Sequence, residues 1–422
     1  MSVQVASTCH ELLWARSQRG QGRWKGTDVG RVDGGRRLAT SCAVAGVALL
    51  AGVGGGAPGR PVASAGPHGL PLETMIASPR PFFLRLSGQG PALSGDRVVW
   101  TATTGPGQAG SAANRIYAYD LAARRLSVAV RSRYGALGFI GSYALVGTKL
   151  AYVDTGFLGP TAGPSLAPGW STSAPAPSAG IFVWQVSIVD LRSGRTQTIA
   201  ASPRTARSSI APQISFDGTK VLMLETVDLS GARHDSMALL YTLAQHRWQL
   251  LQRARNVLFD DPALARNTAL WTRITYGVHV SSHLLAYNLA RPSVRHVPVG
   301  DVSQVAARGD LVVWKSGMTG VGGHIGLYSL RRNRVLATDL AHSNRAIFPS
   351  IDRRIVAWTY ADGSRVQVYG LSSRRVIFTT PVVLHRIYGL TGVSGHAASW
   401  TYTVLAMAKG GARGYVVVRQ MR

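Results

Sequence analysis

One short run recurs seven times along the chain and narrows its possible folds more than any other feature. It reads Val98-Val99-Trp100, Leu150-Ala151-Tyr152, Val221-Leu222-Met223, Ala269-Leu270-Trp271, Val312-Val313-Trp314, Val356-Ala357-Trp358 and Ala398-Ser399-Trp400. The last four anchors lie 43, 44 and 42 residues apart. A fixed period of roughly 40–50 residues fits a small sheet that cannot bury its apolar face alone and must stack on its neighbours. Turns with Gly, Asp or Asn precede the runs, as in Ser94-Gly95-Asp96, Asp217-Gly218, Arg308-Gly309-Asp310 and Ser394-Gly395. Such residues accept the positive φ of a tight hairpin. A second alternating segment follows at Ile116–Leu121, Val186–Leu191, Ala238–Leu243, Leu284–Leu289, Ile325–Leu330 and Val366–Leu371. Then come an Arg-rich turn and a third run, such as Leu126–Val130, Thr196–Ile199 or Val376–Thr379. The alternation has period two, which marks strands with one face buried. No segment beyond the leader shows a sustained helical period with caps.

These copies predict an all-β fold, a seven-bladed β-propeller. The last copy ends at Gly414–Gln420 without room for an outer strand, while Pro81–Leu86 (PFFLRL) precedes the first copy without a place of its own. An N-terminal strand that completes the last blade would close the ring and remove its open edges, and Pro81–Leu86 is expected to be that strand. The expected organisation is a basic leader (1–65), a linker (66–79) and the propeller (80–422), interrupted in blade two by a Pro/Gly/Ser-rich insertion at 155–180. With Pro160, Pro164, Pro168, Pro175 and Pro177, the insertion can form neither a strand nor a stable helix. It is either a tolerated surface loop or a loop that caps the ring or binds a partner.

Pro212-Gln-Ile-Ser-Phe-Asp-Gly-Thr-Lys220-Val-Leu, Pro349-Ser-Ile-Asp-Arg-Arg-Ile-Val-Ala-Trp358 and Asp310-Leu-Val-Val-Trp314 with Leu327-Tyr328-Ser-Leu330 resemble TolB-type, WD40-like bacterial β-propeller repeats. The resemblance covers roughly residues 80–420. It implies a propeller that binds or scaffolds in the extracytoplasmic envelope. Some such propellers stand beside a peptidase. A repeat of this kind specifies a fold far better than a function.

Residues 1–37 are polar and basic, and Leu38 to Gly59 then carry no charge. The apolar heart, Ala43 to Val53, is 11 residues long, whereas a spanning helix needs about 20. Arg36 and Arg37 precede it, and Ala63-Ser64-Ala65 supplies a small-x-small cleavage pattern that would leave Gly66 as the mature N-terminus. Three readings stand: a cleaved export signal, an uncleaved anchor, or a flexible Ala/Gly-rich tail. The first two make the protein extracytoplasmic: secreted, periplasmic or membrane-anchored through residues 38–59. The long polar stretch ahead predicts a true translation start near Val29 or Val32. Both cysteines, Cys9 and Cys42, fall in this leader, so the domain after it has no disulfide, thiolate nucleophile or cysteine zinc site.

Forty-six Lys+Arg against 19 Asp+Glu give a formal net charge of +27. That excludes an acidic solvating protein and directs attention to polyanions and anionic membranes. In a propeller, the turns between first and second strands and between third and fourth strands share one face. Arg124, Arg125, Arg192, Arg195, Arg331, Arg332, Arg334, Arg374 and Arg375 lie at third-to-fourth turns and are the candidates for binding an anionic surface. The plainer alternative is that arginine merely fills exposed turns. The expected partner is an envelope protein, an anionic lipid or a wall polymer. Nucleic acid is not expected, given the export signal and the lack of a regular basic–aromatic motif. The chain is expected to be a monomer.

Motifs for catalysis are scarce. Nucleophile elbows, P-loops, H-E-x-x-H and EF-hand loops are absent. His279 and His283 are four apart but not on a predicted helix, and Asp260-Asp261-Pro262 is either a calcium-binding or acid/base pair or, as the following proline favours, a loop cap. Asp154, Glu225, Asp228 and Asp362 follow second strands and are expected on one rim, where paired carboxylates could serve glycoside chemistry. The recurring Trp anchors are expected in the core. No catalytic residue, metal ligand or cofactor is assigned. The expected function is an exported, non-catalytic binding or scaffold module of the bacterial cell envelope; the alternative is a propeller-fold enzyme acting on envelope polysaccharide.

Overall fold

The computed structural model describes residues 72–79, 90–102, 114–135, 138–158, 181–202, 211–229, 233–276, 279–317, 322–383, 386–405 and 412–421. Among them, 28 strands form seven four-stranded antiparallel sheets. Blade 1 holds β2 to β5 (Ala92–Ser94, Arg97–Ala102, Arg115–Asp120, Arg125–Arg131) and blade 2 holds β6 to β9 (Phe139–Val146, Lys149–Leu158, Ile181–Asp190, Thr196–Ala201). Blade 3 holds β10 to β13 (Gln213–Phe216, Lys220–Leu229, Arg233–Thr242, Arg247–Arg255) and blade 4 holds β14 to β17 (Val257–Ala265, Thr268–Thr275, Ser281–Asn288, Ser293–His296). Blade 5 holds β18 to β21 (Val302–Arg308, Leu311–Ser316, Ile325–Ser329, Arg334–Ala337) and blade 6 holds β22 to β25 (Ala346–Ile351, Ile355–Tyr360, Val366–Gly370, Arg375–Thr379). Blade 7 joins β26 to β28 (Arg386–Ser394, Ala397–Leu405, Ala412–Gln420) to β1 (Glu73–Ala77). No described helix is long and apolar enough to cross a membrane.

The first strand of each blade touches the first strand of the next, and β26 touches β2. These strands therefore line the channel of a closed ring. The repeated anchors all fall on second strands and supply the core. Seven apolar clusters form, each shared by two adjacent blades. Trp100, Trp271, Trp314, Trp358 and Trp400 are at most 3% exposed, and each packs against the preceding blade.

Closure differs from expectation in its residues. β1 is Glu73–Ala77, paired antiparallel with β28 from Glu73↔Arg419 to Ala77↔Tyr415. The ring thus begins inside the stretch 66–79 expected as linker, while Pro81–Leu86 lies outside the described residues. ETMIA carries a weaker β signature than PFFLRL, but it docks through a five-pair ladder, an Arg419–Glu73 ion pair and one apolar side chain. Ile76 is buried with Leu93, Trp100, Val416 and Val418 in the core between blades 7 and 1. The blade-two insertion is also shorter than expected. β7 continues through residues 155–158, pairing Phe157↔Phe182 and Leu158↔Ile181, and residues 159–180 lie outside the described residues.

The recurrent Tyr-polar-Leu ending has a direct physical role. The polar residue closing the third strand accepts from turn amides: Asp120 from Ala123, Asp190 from Arg192 and Ser193, Asn288 from Ala290 and Arg291, Ser329 from Arg332. The Leu amide then bonds across to the first-to-second turn of its own blade, as in Leu121→Asp96 O (2.7 Å), Leu289→Asn267 O (2.8 Å) and Leu371→Arg354 O (2.8 Å). In blade 7, Met421 N–H does the same to His396 O at 2.6 Å. In blades 1 to 6 the two turns are thereby tied together on one face.

Candidate functional site

That tied face carries the nine candidate arginines. Arg124 and Arg125 lie at the β4–β5 turn, Arg192 and Arg195 at β8–β9, Arg331, Arg332 and Arg334 at β20–β21, and Arg374 and Arg375 at β24–β25. All nine are exposed. Among the described residues, none forms an ion pair with a carboxylate. Three basic residues of the first-to-second turns are paired instead: Arg97 with Asp120 at 3.7 Å, Lys220 with Asp217 at 3.9 Å and Arg308 with Asp352 at 3.8 Å. Backbone geometry sharpens the contrast. The residue just before or beginning the fourth strand sits in the left-handed region, as Gly194 in blade 2 and Asn333 in blade 5. Blades 1 and 6 place arginine there, Arg124 and Arg374, both at φ 52°. Outside Gly and Asn that conformation costs roughly 1 kcal/mol, so turn geometry alone does not select arginine.

The inner strands hold a polar chain that includes the Asp260-Asp261 pair expected in a loop. Asp260 and Asp261 are not in a loop; they sit within β14 at a bulge, where pairing with β15 slips between Asp260 and Ala263. A bulge breaks the alternation that would have sent adjacent side chains to opposite faces. Asp261 has φ 54°, Gln304 φ 55° and Phe348 φ 52°, at matching bulges in blades 4, 5 and 6. The bulge amides are capped from the preceding blade. Asp261 N–H donates to Gln213 Oε1 at 3.1 Å, Gln304 N–H to Asp261 Oδ2 at 2.6 Å, and Phe348 N–H to Gln304 Oε1 at 2.7 Å. Thr391 Oγ1 of blade 7 then donates to Phe348 O at 3.1 Å. Burial, then the neighbouring Asp260 charge, pushes the Asp261 carboxyl well above the usual carboxylate range, against the pull of the Gln304 amide and the Lys315 ammonium. Lys315 is buried, donates to Ser303 Oγ (3.2 Å) and Gly317 O (3.0 Å), and burial lowers its pKa to about 8.

This predicts a pH dependence. A carboxyl whose folded pKa lies above its unfolded value is destabilising when ionised, and the penalty is relieved as pH falls through the raised value. Asp261→Asn keeps an oxygen for the Gln304 amide and removes the charge. Relative to that variant, wild type should therefore gain Tm as the pH falls from neutral to about 4, the unfolded aspartate range. Parallel Tm–pH curves for the two proteins would refute the assignment.

The three rim acids with described side chains, Asp154, Glu225 and Asp362, belong to blades 2, 3 and 6. Asp154 lies inside β7, buried, accepting from Arg133 N–H at 2.9 Å, and burial raises its pKa. Arg133 in turn donates to Gln185 Oε1. Glu225 lies half-buried in β11 of blade 3, its pKa likewise raised by burial. The side chain of Asp228 lies outside the described residues. Asp362 sits in the turn after β23 and pairs with Arg345 at 3.0 Å. Burial works against its ionisation, but the Ser364 hydroxyl and amide and Arg345 outweigh it and hold its pKa low. His283 stacks edge-on against His296 at 5.7 Å. No group of three or more potential metal-binding side chains exists among the described residues.

Comparison with known proteins yields no matching family model and no matching curated sequence. Solved structures do match. The β-propeller domain of the trilobed protease from Pyrococcus furiosus, a ring of open velcro topology, aligns at 10% identity over 82% of this chain and 98% of that chain, with a TM-score of 0.50. Uncomplexed acylaminoacyl peptidase from Pyrococcus horikoshii aligns at 10% identity over 82% of this chain and 52% of that chain, with a TM-score of 0.53; the present chain thus spans about half of that enzyme. TolB from Acinetobacter baumannii aligns at 13% identity over 78% of this chain and 66% of that chain, and its TM-score of 0.36 is too low to bear on the resemblance. At such identities the likeness is one of fold: this chain is a seven-bladed β-propeller closed by its own N-terminal strand.

Proposed function

We propose that the chain is an exported, non-catalytic propeller of the TolB-like kind, serving as a binding or scaffold module in a bacterial envelope. Its arginine face would rest on a phosphate-bearing surface, either lipid headgroups or a wall polymer. The observation that carries this reading is the set of nine exposed arginines on one face without carboxylate partners among the described residues. The strained Arg124 and Arg374 support it, as does the use of the buried carboxylates as caps: Asp261 on an amide of the next blade and Asp154 on the Arg133 amide. Each basic residue near an anionic surface contributes about 1 kcal/mol, and the attraction fades within about 10 Å at 0.1 M salt. Export rests on the uncharged stretch 38–59 behind Arg36-Arg37; recovery of the protein from the cytosol would defeat that part.

The test uses residues 66–422, which contain every described strand, on phosphatidylglycerol vesicles and on an immobilised phosphate-bearing wall polymer. Retention should be strong at low salt and fall steeply with added salt. Replacing Arg331, Arg332, Arg334, Arg374 and Arg375 with serine should cut retention at least tenfold, about 1.4 kcal/mol or more, with folding intact. Which support retains the protein identifies the surface. Equal retention of variant and wild type on both supports would remove the reading. A second variant, Arg124→Asn with Arg374→Asn, should bind less while melting no lower than wild type, because asparagine tolerates the left-handed conformation.

A further inference from the structure

We infer that the arginine face is the membrane-proximal side of the ring, with residues 38–59 retained in an anionic bilayer as the tether that holds it there. The inference rests on the reading of that face given above and adds a lipid surface as its partner. Its independent support is the path of the chain. β1 is the outer strand of blade 7, and its register, Glu73↔Arg419 to Ala77↔Tyr415, makes it begin where β28 finishes. β28 finishes at the arginine face, where Met421 N–H bonds to the β26–β27 turn at His396 O. Leu72 is held at that same end, its carbonyl accepting from Gln420 N–H at 2.8 Å. Everything before Leu72 therefore joins the ring from the side that carries the arginine turns.

Reach and charge agree with that path. Only residues 60–72 separate the uncharged stretch from β1. Fully extended they span at most about 45 Å. Anchoring at such a distance makes contact between the face and the leaflet an intramolecular event of high effective concentration, so even a weak attraction is occupied. The adjacent surface suits an anionic leaflet. On blades 4, 5 and 6, these turns and the strand ends beside them carry ten exposed arginines against two aspartates, Asp310 and Asp352. Asp352 is itself paired with Arg308. Blade 6 adjoins blade 7, where the tether enters. The opposite face, where the blade-two insertion joins β7 and β8, is then turned outward, away from the bilayer.

The lack of cysteine after residue 42 makes a direct test simple. The full chain with Cys9→Ser and Cys42→Ser is reconstituted in phosphatidylcholine–phosphatidylglycerol vesicles. It carries a fluorophore on Ser372→Cys, exposed in the β24–β25 turn, or on Asn344→Cys, exposed in the loop between β21 and β22 on the other face. Nitroxide lipids should quench the label at 372 several-fold more than the label at 344. Equal quenching, or stronger quenching at 344, overturns the inference, as does a membrane-fraction protein whose N-terminus is Gly66. Failure of the charge reading looks different. If the five-serine variant keeps the preference for 372 while retention of residues 66–422 shows no salt dependence, the tether sets the orientation without the arginines. If residues 66–422 bind with steep salt dependence but the full chain shows no preference for 372, the charge reading survives and the orientation falls.

Discussion

Replacing Trp358 with alanine is expected to lower the stability of the ring by about 3–5 kcal/mol, the scale for truncating a fully buried aromatic side chain. Trp358 is 0% exposed and fills the core between blades 5 and 6 with Val313, Ile325, Leu327, Val356 and Tyr360. No single blade can collapse into the space left behind, because the cavity belongs to two sheets held apart by their neighbours. Trp271→Ala should behave alike, since Trp271 packs between blades 3 and 4 against Phe259 (5.8 Å) and Tyr287 (6.5 Å). Phenylalanine at 358 should cost much less, because the buried Trp358 Nε1 has no hydrogen-bond acceptor among the described residues. Denaturant titration checks both. Alanine variants that unfold like wild type but lose binding to a sugar would instead make these side chains ligand platforms.

Removing Glu73–Ala77 should have a still larger effect. The deletion strips β28 of its hydrogen-bonding partner along five residue pairs and takes Ile76 out of the core between blades 7 and 1. Val416 and Val418 would then sit beside an open edge, a template for pairing with other chains. The expected result is a broadened thermal transition with a rise in light scattering. Ile76→Asp should reproduce it in part, by placing a charge where nothing among the described residues in that cluster can pair with it. A sharp, unchanged transition after deletion would mean that the inter-blade cores alone hold this ring shut.

Much of the ring was legible because its determinants repeat. The anchors at Trp271, Trp314, Trp358 and Trp400 fix the period, and the alternation around Tyr119, Tyr287 and Tyr328 fixes the face. The arginine turns were legible too, because propeller topology assigns every third-to-fourth turn to one side. What escaped was whatever depends on partners distant in sequence. ETMIA carries only Met75 and Ile76 as large apolar residues, with Met75 61% exposed, so nothing local distinguishes it from a linker; its place is set by register with a strand over 300 residues away. Asp260-Asp261-Pro262 looked like a turn because proline usually ends a strand. The bulge that accommodates it is capped by Gln213 of the preceding blade, and its local trace is a polar pair inside an otherwise apolar strand, VLFDDPALA.

The bulge caps of blades 3 to 6 bear on how such a ring can change over generations. Gln213 serves the backbone of blade 4, Asp261 that of blade 5 and Gln304 that of blade 6, always in the same rotational sense. These blades are therefore not interchangeable tiles, since each is spelled to meet the one behind it. Excising or duplicating a unit here would set an amide against a side chain of the wrong length or charge, with the cost appearing in a sheet that had not been altered. This arc should diversify by substitution within blades, with matched changes in adjacent pairs, and gain or loss of a whole blade should fall elsewhere in the ring.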